Sequence, residues 1–142
     1  MKIEQSRAED ITKILSMLDS SGLTKEGVND AKHYVVRGDD GKIIATIGFQ
    51  IWGKQGLLRS LAVDEKERNR GLGSSLVMYV LELARNLELD EVFLLTEKVG
   101  EYYLRFGFEY YNRKQVFGEV LKSAEFRGAC LESAPVMKYT LQ

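Results

Sequence analysis

The sequence is poor in residues that cross-link, kink or ligate. Of its 142 residues, one is cysteine, one is proline and one is histidine. The lone Cys130 excludes an internal disulfide and fits a reducing compartment. The single proline, Pro135, excludes a proline-rich linker. Without clustered His and Cys ligands, no metal site is expected. Charge of one sign is also lacking: 20 Lys and Arg stand against 21 Asp and Glu, a formal net charge of −1. That argues against a general nucleic-acid binder, which carries a strong basic excess. The apolar stretch 72–87 is interrupted by Glu82 and Arg85, and no uncharged run reaches the ~18 residues of a membrane span. Met1-Lys2-Ile3-Glu4-Gln5 has no apolar signal core. The expectation is a cytoplasmic chain with no nucleic-acid and no membrane partner, organised as a single domain over residues 1–142.

What is present is an ordinary globular balance, 44% hydrophobic and 29% charged. Residues 2–5 read as a short strand. Ser6-Arg7-Ala8-Glu9 sets a hydroxyl three residues before a carboxylate, the capping-box form. Ile11, Ile14, Leu15 and Leu18 follow at helical spacing, and Ser20-Ser21-Gly22 can end that helix. Residues 23–30 are weakly patterned, a short helix or a loop. Residues 33–37 and 43–52 form a hairpin around Gly38-Asp39-Asp40-Gly41, with Ile43, Ala45, Ile47, Phe49 and Ile51 alternating onto one face. After a second turn at 53–56, residues 57–63 read as a strand buried on both faces.

Leu72, Leu76, Val80, Leu83 and Leu87 form the stripe of a long helix. Residues 91–96 are a strand, 100–106 a short helix ended by Gly107, 108–112 an extended segment and 136–141 a closing strand. Residues 116–126 have no assignable pattern. This order predicts an α/β fold: one mixed, mostly antiparallel sheet with a parallel central pair and helices on both faces. The strands at 57–63 and 91–96 should be that pair, joined through the long helix by a crossover.

The segment between strand 57–63 and the long helix carries the most chemistry: Arg68-Asn69-Arg70-Gly71-Leu72-Gly73. A helix start exposes amide hydrogens without carbonyl partners, and the aligned peptide dipoles add positive potential there. Two glycines remove side chains that would hold a ligand away. The result is a cradle for a diphosphate, with Arg68 and Arg70 adding charge at its rim. A P-loop is excluded, because Gly-x-x-x-x-Gly-Lys-Ser/Thr is absent. A dinucleotide fingerprint is excluded too, because Leu76 stands where its third glycine belongs.

Leu61-Ala62-Val63 followed by Arg68-x-x-Gly71-x-Gly73 resembles the acetyl-CoA-binding motif of the GCN5-related N-acetyltransferases. Tyr102-Tyr103-Leu104-Arg105-Phe106-Gly107-Phe108 is similar to their later aromatic–Tyr-x-x-x-Gly-Phe pattern. The resemblance covers nearly the whole chain. A narrower one, to arsenic-resistance-associated amino-acid N-acetyltransferases and the acetyltransferase domain of N-acetylglutamate synthases, rests on residues 57–63, Leu94-Leu95-Thr96 and Ser123-Ala124-Glu125-Phe126-Arg127 through Cys130. The chain departs from it after the cysteine, with Leu131 in the usual place of proline.

The resemblance implies an acetyl-CoA-dependent N-acetyltransferase, with acetyl-CoA as cosubstrate and no metal. It further implies that the backbone of Leu61 and Val63, across Ala62, pairs with the pantetheine arm, and that the amides from Asn69 through Arg70, Gly71, Leu72 and Gly73 to Ser74 hold the diphosphate. Tyr103 is then the candidate proton donor to the departing thiolate, or an aromatic that packs on the cofactor. Thr96 or Glu97 would order a water as base. Arg59, a charge inside an apolar strand, needs a partner or a cavity; it is the candidate reader of an acceptor carboxylate, with Arg127 a second. Cys130 reads as a packed thiol and His33 as a strand surface residue. The expected partner is a small-molecule amine, an amino acid or a similar compound. A protein or peptide N-acetyltransferase and a non-catalytic acyl-CoA sensor are the alternatives. Exposed strands in such folds often pair, which admits a homodimer.

Overall fold

A computed structural model describes residues 1–96, 100–130 and 133–141. The strands are β1 (Ile3–Gln5), β2 (Lys32–Arg37), β3 (Ile43–Trp52), β4 (Gln55–Val63), β5 (Glu91–Leu95), β6 (Glu109–Tyr111) and β7 (Val136–Thr140). The helices are α1 (Ile11–Ser20), α2 (Leu72–Asn86) and α3 (Gly100–Leu104). The strands form one sheet in the order β1-β2-β3-β4-β5-β7-β6. Every neighbouring pair is antiparallel except β4 and β5, which run parallel across the α2 crossover. The mixed sheet with its parallel central pair is the one the element order predicted.

Two cores lie on opposite faces. On one, Leu76, Val77, Val80 and Ala84 of α2 are fully buried against Ala45, Ile47, Phe49, Leu58, Val92 and Leu94. On the other, Ile14, Met17 and Leu18 of α1 pack on Val35, Ile43 and Ala62. Burying each of the larger side chains among these contributes about 1.5–3 kcal/mol. The stripe read for α2 holds for Leu72, Leu76 and Val80, whereas Leu87 is 49% exposed. It lies just past the helix end, where the backbone turns off the sheet.

Ile43 and Ile51 depart from the single apolar face expected of β3. Val36 pairs with Ala45 but Arg37 pairs with Ile43, so Ile44 is an extra residue. Such a bulge moves the pleat by one position. It turns Ile43 to the α1 side, while Ala45, Ile47 and Phe49 stay on the α2 side. Ile51, near the hairpin tip, is 40% exposed.

The start of the first helical segment also moves by one residue. The backbone N–H of Arg7 donates to Asp10 Oδ2 at 2.7 Å, so Arg7 and Asp10 supply the reach-back bond assigned to Ser6 and Glu9. Asp10 is fixed there by Arg37, whose Nη2 donates to Asp10 Oδ2 at 2.6 Å while its Nε donates to Glu4 Oε1 at 2.7 Å. A tertiary ion cluster thus selects the cap.

Residues 116–130 resolve into short turns, including Glu119–Lys122 and Glu125–Ala129. Val116 and Val120 pack on Leu57, Phe93 and Val136. Gln55 ties this segment to β4: its Nε2 donates to the Phe117 carbonyl at 2.7 Å, and its Oε1 accepts from the Val120 N–H at 3.1 Å. The sheet face beside α1 is closed by contacts with no local sequence period.

Candidate active site

The two parallel strands stay together only briefly. Gln55, Gly56 and Leu57 of β4 register with Glu91, Val92 and Phe93 of β5. Beyond that point β5 continues against β7, with Leu94 opposite Met137 and Leu95 opposite Val136. Strand β4 continues against β3, but its register jumps from Arg59 opposite Gly48 to Ala62 opposite Thr46. Ser60 sits inside this irregularity with φ of 60°, a left-handed conformation that is costly for a residue with a side chain. The bulge bends β4 away from β5, and the gap opens into a cavity of about 1050 Å³. Leu58–Val63 line one side and Leu94–Thr96 the other. The β4 edge here faces space rather than a strand, so its backbone groups are presented to a ligand.

The cradle stands at one end of this gap. Asn69 and Gly71 have φ of 67° and 76°, and together they turn the chain into α2. The Ser75 N–H donates to the Gly71 carbonyl at 3.0 Å, so the amides of Leu72, Gly73 and Ser74 precede the first helical acceptor. A Cβ on Gly71 would meet nothing within 4 Å, so this glycine serves the backbone turn and leaves the cradle open. Arg68, Asn69, Gly71, Leu72, Gly73 and Ser74 all line the cavity, as do Leu61, Ala62 and Val63. Arg70 does not; it is exposed and pairs with Glu67.

Helix α3 closes the cradle from the side. The hydroxyls of Tyr102 and Ser74 lie 3.2 Å apart in a hydrogen bond. A Cβ on Gly73 would lie 3.0 Å from the same Tyr102 oxygen, so a larger residue here would crowd the tyrosine hydroxyl. Arg105, also in the lining, stacks its guanidinium 4.4 Å above the Tyr102 ring. Tyr103 is 7% exposed and meets Tyr102 and Phe108 edge-on. Burial first, then the neighbouring Tyr102 and Glu125, push its phenol above the ordinary tyrosine range. It therefore stays protonated through neutral pH.

The opposite end is built around a buried ion pair. Arg59 lines the cavity with its side chain fully buried, and its Nε lies 3.4 Å from Glu125 Oε2. Its Nε also donates to Ser60 Oγ at 3.0 Å, and its Nη2 to the Glu26 carbonyl at 2.6 Å. Among the described residues, its buried Nη1 has no hydrogen-bond partner. Both reasons a charge can sit in an apolar strand hold here, a partner and a cavity.

Of the other expected site residues, Thr96 is buried in the same lining, while Arg127 is exposed and outside it. Glu97 lies outside the described residues. Cys130 is a buried thiol in the lining. Glu125 carries the most weight among residues the sequence did not single out; its only sequence signal was its place within Ser123–Arg127. Ser60 and Tyr102 were likewise unassigned. His33 is not a surface residue: it is 4% exposed, because β2 lies inside the sheet and residues 26–28 cover its end.

Among the described residues, no group of three or more His, Cys, Asp or Glu is placed to hold a metal ion, and no helix is long and apolar enough to cross a membrane. The amino-acid acetyltransferase of Mycobacterium tuberculosis is 33% identical over 81 residues, 56% of this chain and 46% of that protein. The chain thus spans under half the length of that curated relative.

Among solved structures, Rv2747 from Mycobacterium tuberculosis, in complex with CoA and NLQ, superposes with a TM-score of 0.81 at 22% identity over 100% of both chains. N-acetylglutamate synthase from Neisseria gonorrhoeae, complexed with coenzyme A and N-acetyl-glutamate, gives 0.82 at 18% identity over 99% of this chain and 35% of that one. Tetrahymena GCN5 gives 0.77 at 13% identity over 100% of this chain and 97% of that one. These neighbours share the fold of splayed parallel strands flanked by helices. The model of the acetyltransferase (GNAT) family matches residues 4–108, most of this chain and both strands that flank the cavity; the chain belongs to that family.

Proposed function

We propose that this protein transfers the acetyl group of acetyl-CoA to the amine of an amino acid or a similar small molecule. One observation carries the reading: a single cavity runs from the amide cradle at the start of α2, through the gap between β4 and β5, to the buried Arg59–Glu125 pair. A diphosphate suits the cradle, because the amides of Leu72–Ser74 have no helical acceptors and Gly71 leaves the space before it open. The exposed edge of Leu61–Val63 suits the amides of a pantetheine arm. The coenzyme A complexes of the structural neighbours point the same way.

Acetyl-CoA brings an activated thioester; the protein has to bring a neutral amine to it and manage two protons. An α-amine of pKa about 8 is roughly one-tenth neutral at pH 7, whereas a lysine-like amine near 10.4 is almost wholly charged. Arg59, which lines the cavity and whose buried Nη1 has no hydrogen-bond partner among the described residues, suits the acceptor carboxylate. Thr96, in the lining, suits a water that takes the amine proton. Tyr103, kept as a neutral phenol, donates to the departing thiolate. The curated relative, an amino-acid acetyltransferase, supports the substrate class.

The test is a panel. The protein is given acetyl-CoA with each of the twenty L-amino acids, with simple amines and with peptides, and free thiol is followed. Turnover on free amino acids is the expected result. Turnover on peptides alone would replace this reading with a peptide N-acetyltransferase. Coenzyme A binding with no turnover on any acceptor would make the protein a sensor.

A further inference from the structure

A row of three residues crosses the sheet behind the acceptor end of the cavity. His33 of β2 registers with Gly48 of β3, and Gly48 registers with Arg59 of β4. Registered residues on neighbouring strands point to the same face. The middle position has no side chain, so the outer two close over it. A Cβ on Gly48 would lie 3.1 Å from both His33 Cε1 and Arg59 Cγ. Any other residue here would push the imidazole and the arginine stem apart.

The two outer residues also grip the same stretch of backbone. His33 Nε2 donates to the Val28 carbonyl at 2.8 Å, and Arg59 Nη2 donates to the Glu26 carbonyl at 2.6 Å. Between those carbonyls stands Gly27, with φ of 75°. Its missing Cβ would lie 2.7 Å from Ala124 Cβ and 3.0 Å from Arg59 Nη1. Residues 21–24, just before this grip, line the cavity. Glu125, just after Ala124, holds Arg59 from the other side. The walls of the acceptor end thus converge on one guanidinium, and His33, buried and outside the lining of that cavity, stands behind it.

We infer that His33 is a positioning residue. It braces Arg59 across Gly48 and fixes residues 26–28, and so sets the shape of the cavity wall that Arg59 forms at the acceptor end. Because its Nε2 donates to a carbonyl, the ring bound there carries its proton on Nε2 and presents a bare Nδ1 to the arginine side. A charged imidazolium at this position would repel the guanidinium and loosen the row. The inference rests on the acceptor-binding reading of Arg59.

The test compares the parent with His33→Ala, His33→Gln and Gly48→Ala. The probe is the amino acid with the highest kcat/KM in the panel above. His33→Ala should raise the acceptor KM about tenfold and leave the acetyl-CoA KM within about twofold. His33→Gln keeps an N–H donor of similar reach and should recover most of that loss. Gly48→Ala keeps the imidazole but wedges the row, and should show the same split; it carries the test should His33→Ala fail to fold.

A second arm needs no acceptor. Nitrogen-15 spectra should show the Arg59 Nε–H, assigned by its disappearance in Arg59→Lys, exchanging with solvent at least about tenfold faster in His33→Ala than in the parent. An unchanged acceptor KM with unchanged exchange would overturn the inference. So would equal rises in both KM values, or no rescue by glutamine. A parent that acetylates nothing would overturn the proposed function instead, and the exchange measurement would still decide whether His33 positions Arg59.

Discussion

Arg59 Nε lies 3.4 Å from Glu125 Oε2, with both side chains buried. The pair joins the central strand to a late, irregular segment and closes the end of the cavity away from the cradle. Two buried charges are stable together and costly apart, so their separation gives the first prediction.

Arg59→Met should destabilise the protein by about 3–5 kcal/mol, because Glu125 is left buried without its cation. Arg59→Met combined with Glu125→Gln should recover much of that stability. Acceptor binding should not recover, because the carboxylate contact is absent in both variants; the loss should be about 10–100-fold in KM. Denaturant melts and acceptor KM values check both halves. A double variant that regains acceptor affinity would assign the carboxylate contact elsewhere.

Gly71 adopts a left-handed conformation, with empty space where a Cβ would stand. Gly71→Ala should cost about 1–2 kcal/mol of backbone strain and tilt the cradle amides. The acetyl-CoA KM should rise about tenfold while the acceptor KM stays nearly constant. Equal affinity for coenzyme A in calorimetry would show that the cradle does not depend on this turn.

Tyr103→Phe removes a buried hydroxyl from the cavity wall and leaves the ring contacts with Tyr102 and Phe108. As a proton donor Tyr103 should contribute about 100-fold to kcat, with coenzyme A affinity unchanged. Its phenol is raised above the ordinary range by burial, so it should add no alkaline limb to the rate profile below pH ~10. Unchanged turnover would leave Tyr103 only its packing role.

Arg37 lowers the carboxyl pKa of both Asp10 and Glu4, chiefly by direct hydrogen bonds. The unfolded carboxylates bind protons at higher pH than the folded ones do. The stabilisation is therefore full above the unfolded values near 4, and is lost as pH falls through the folded values. Melting temperature should drop over that acid window, and Arg37→Met should flatten the drop. An unchanged slope would show that the cluster does not set acid stability.

His33 is shifted the same way for a different reason: burial outweighs its bond to Val28 and lowers its pKa. The unfolded imidazole takes up a proton near pH 6.5 and the folded one resists it. Stability from this group is full above pH 6.5 and declines as pH falls from there through the folded value. His33→Gln should remove that part of the decline, read as melting temperature between pH 7 and 5.

How much the sequence disclosed follows from the range of each contact. The stripe of α2, the turns flanking β3 and the Gly71-x-Gly73 start of α2 rest on residues a few positions apart, so local periodicity and backbone freedom expose them. The alternation of β3 misled at Ile43, because the bulge at Ile44 depends on how β2 and β3 pair. Arg59 was conspicuous as a charge in an apolar strand, yet its partner Glu125 lies on the irregular segment 116–130 that no period describes. His33 looked exposed because its cover, the carbonyl of Val28, is backbone and carries no sequence identity.

By itself the sequence determined the order of elements, the parallel crossover and the glycine-lined start of α2 with its unpaired amides. All of these are local properties of spacing, glycine and unpaired helix amides. Only the tertiary structure decided where β4 leaves β5, which carboxylate meets Arg59 and that His33 is buried in the same row as Arg59. Those depend on strand register and on segments far apart in the chain, and register is chosen by the packing of the whole sheet.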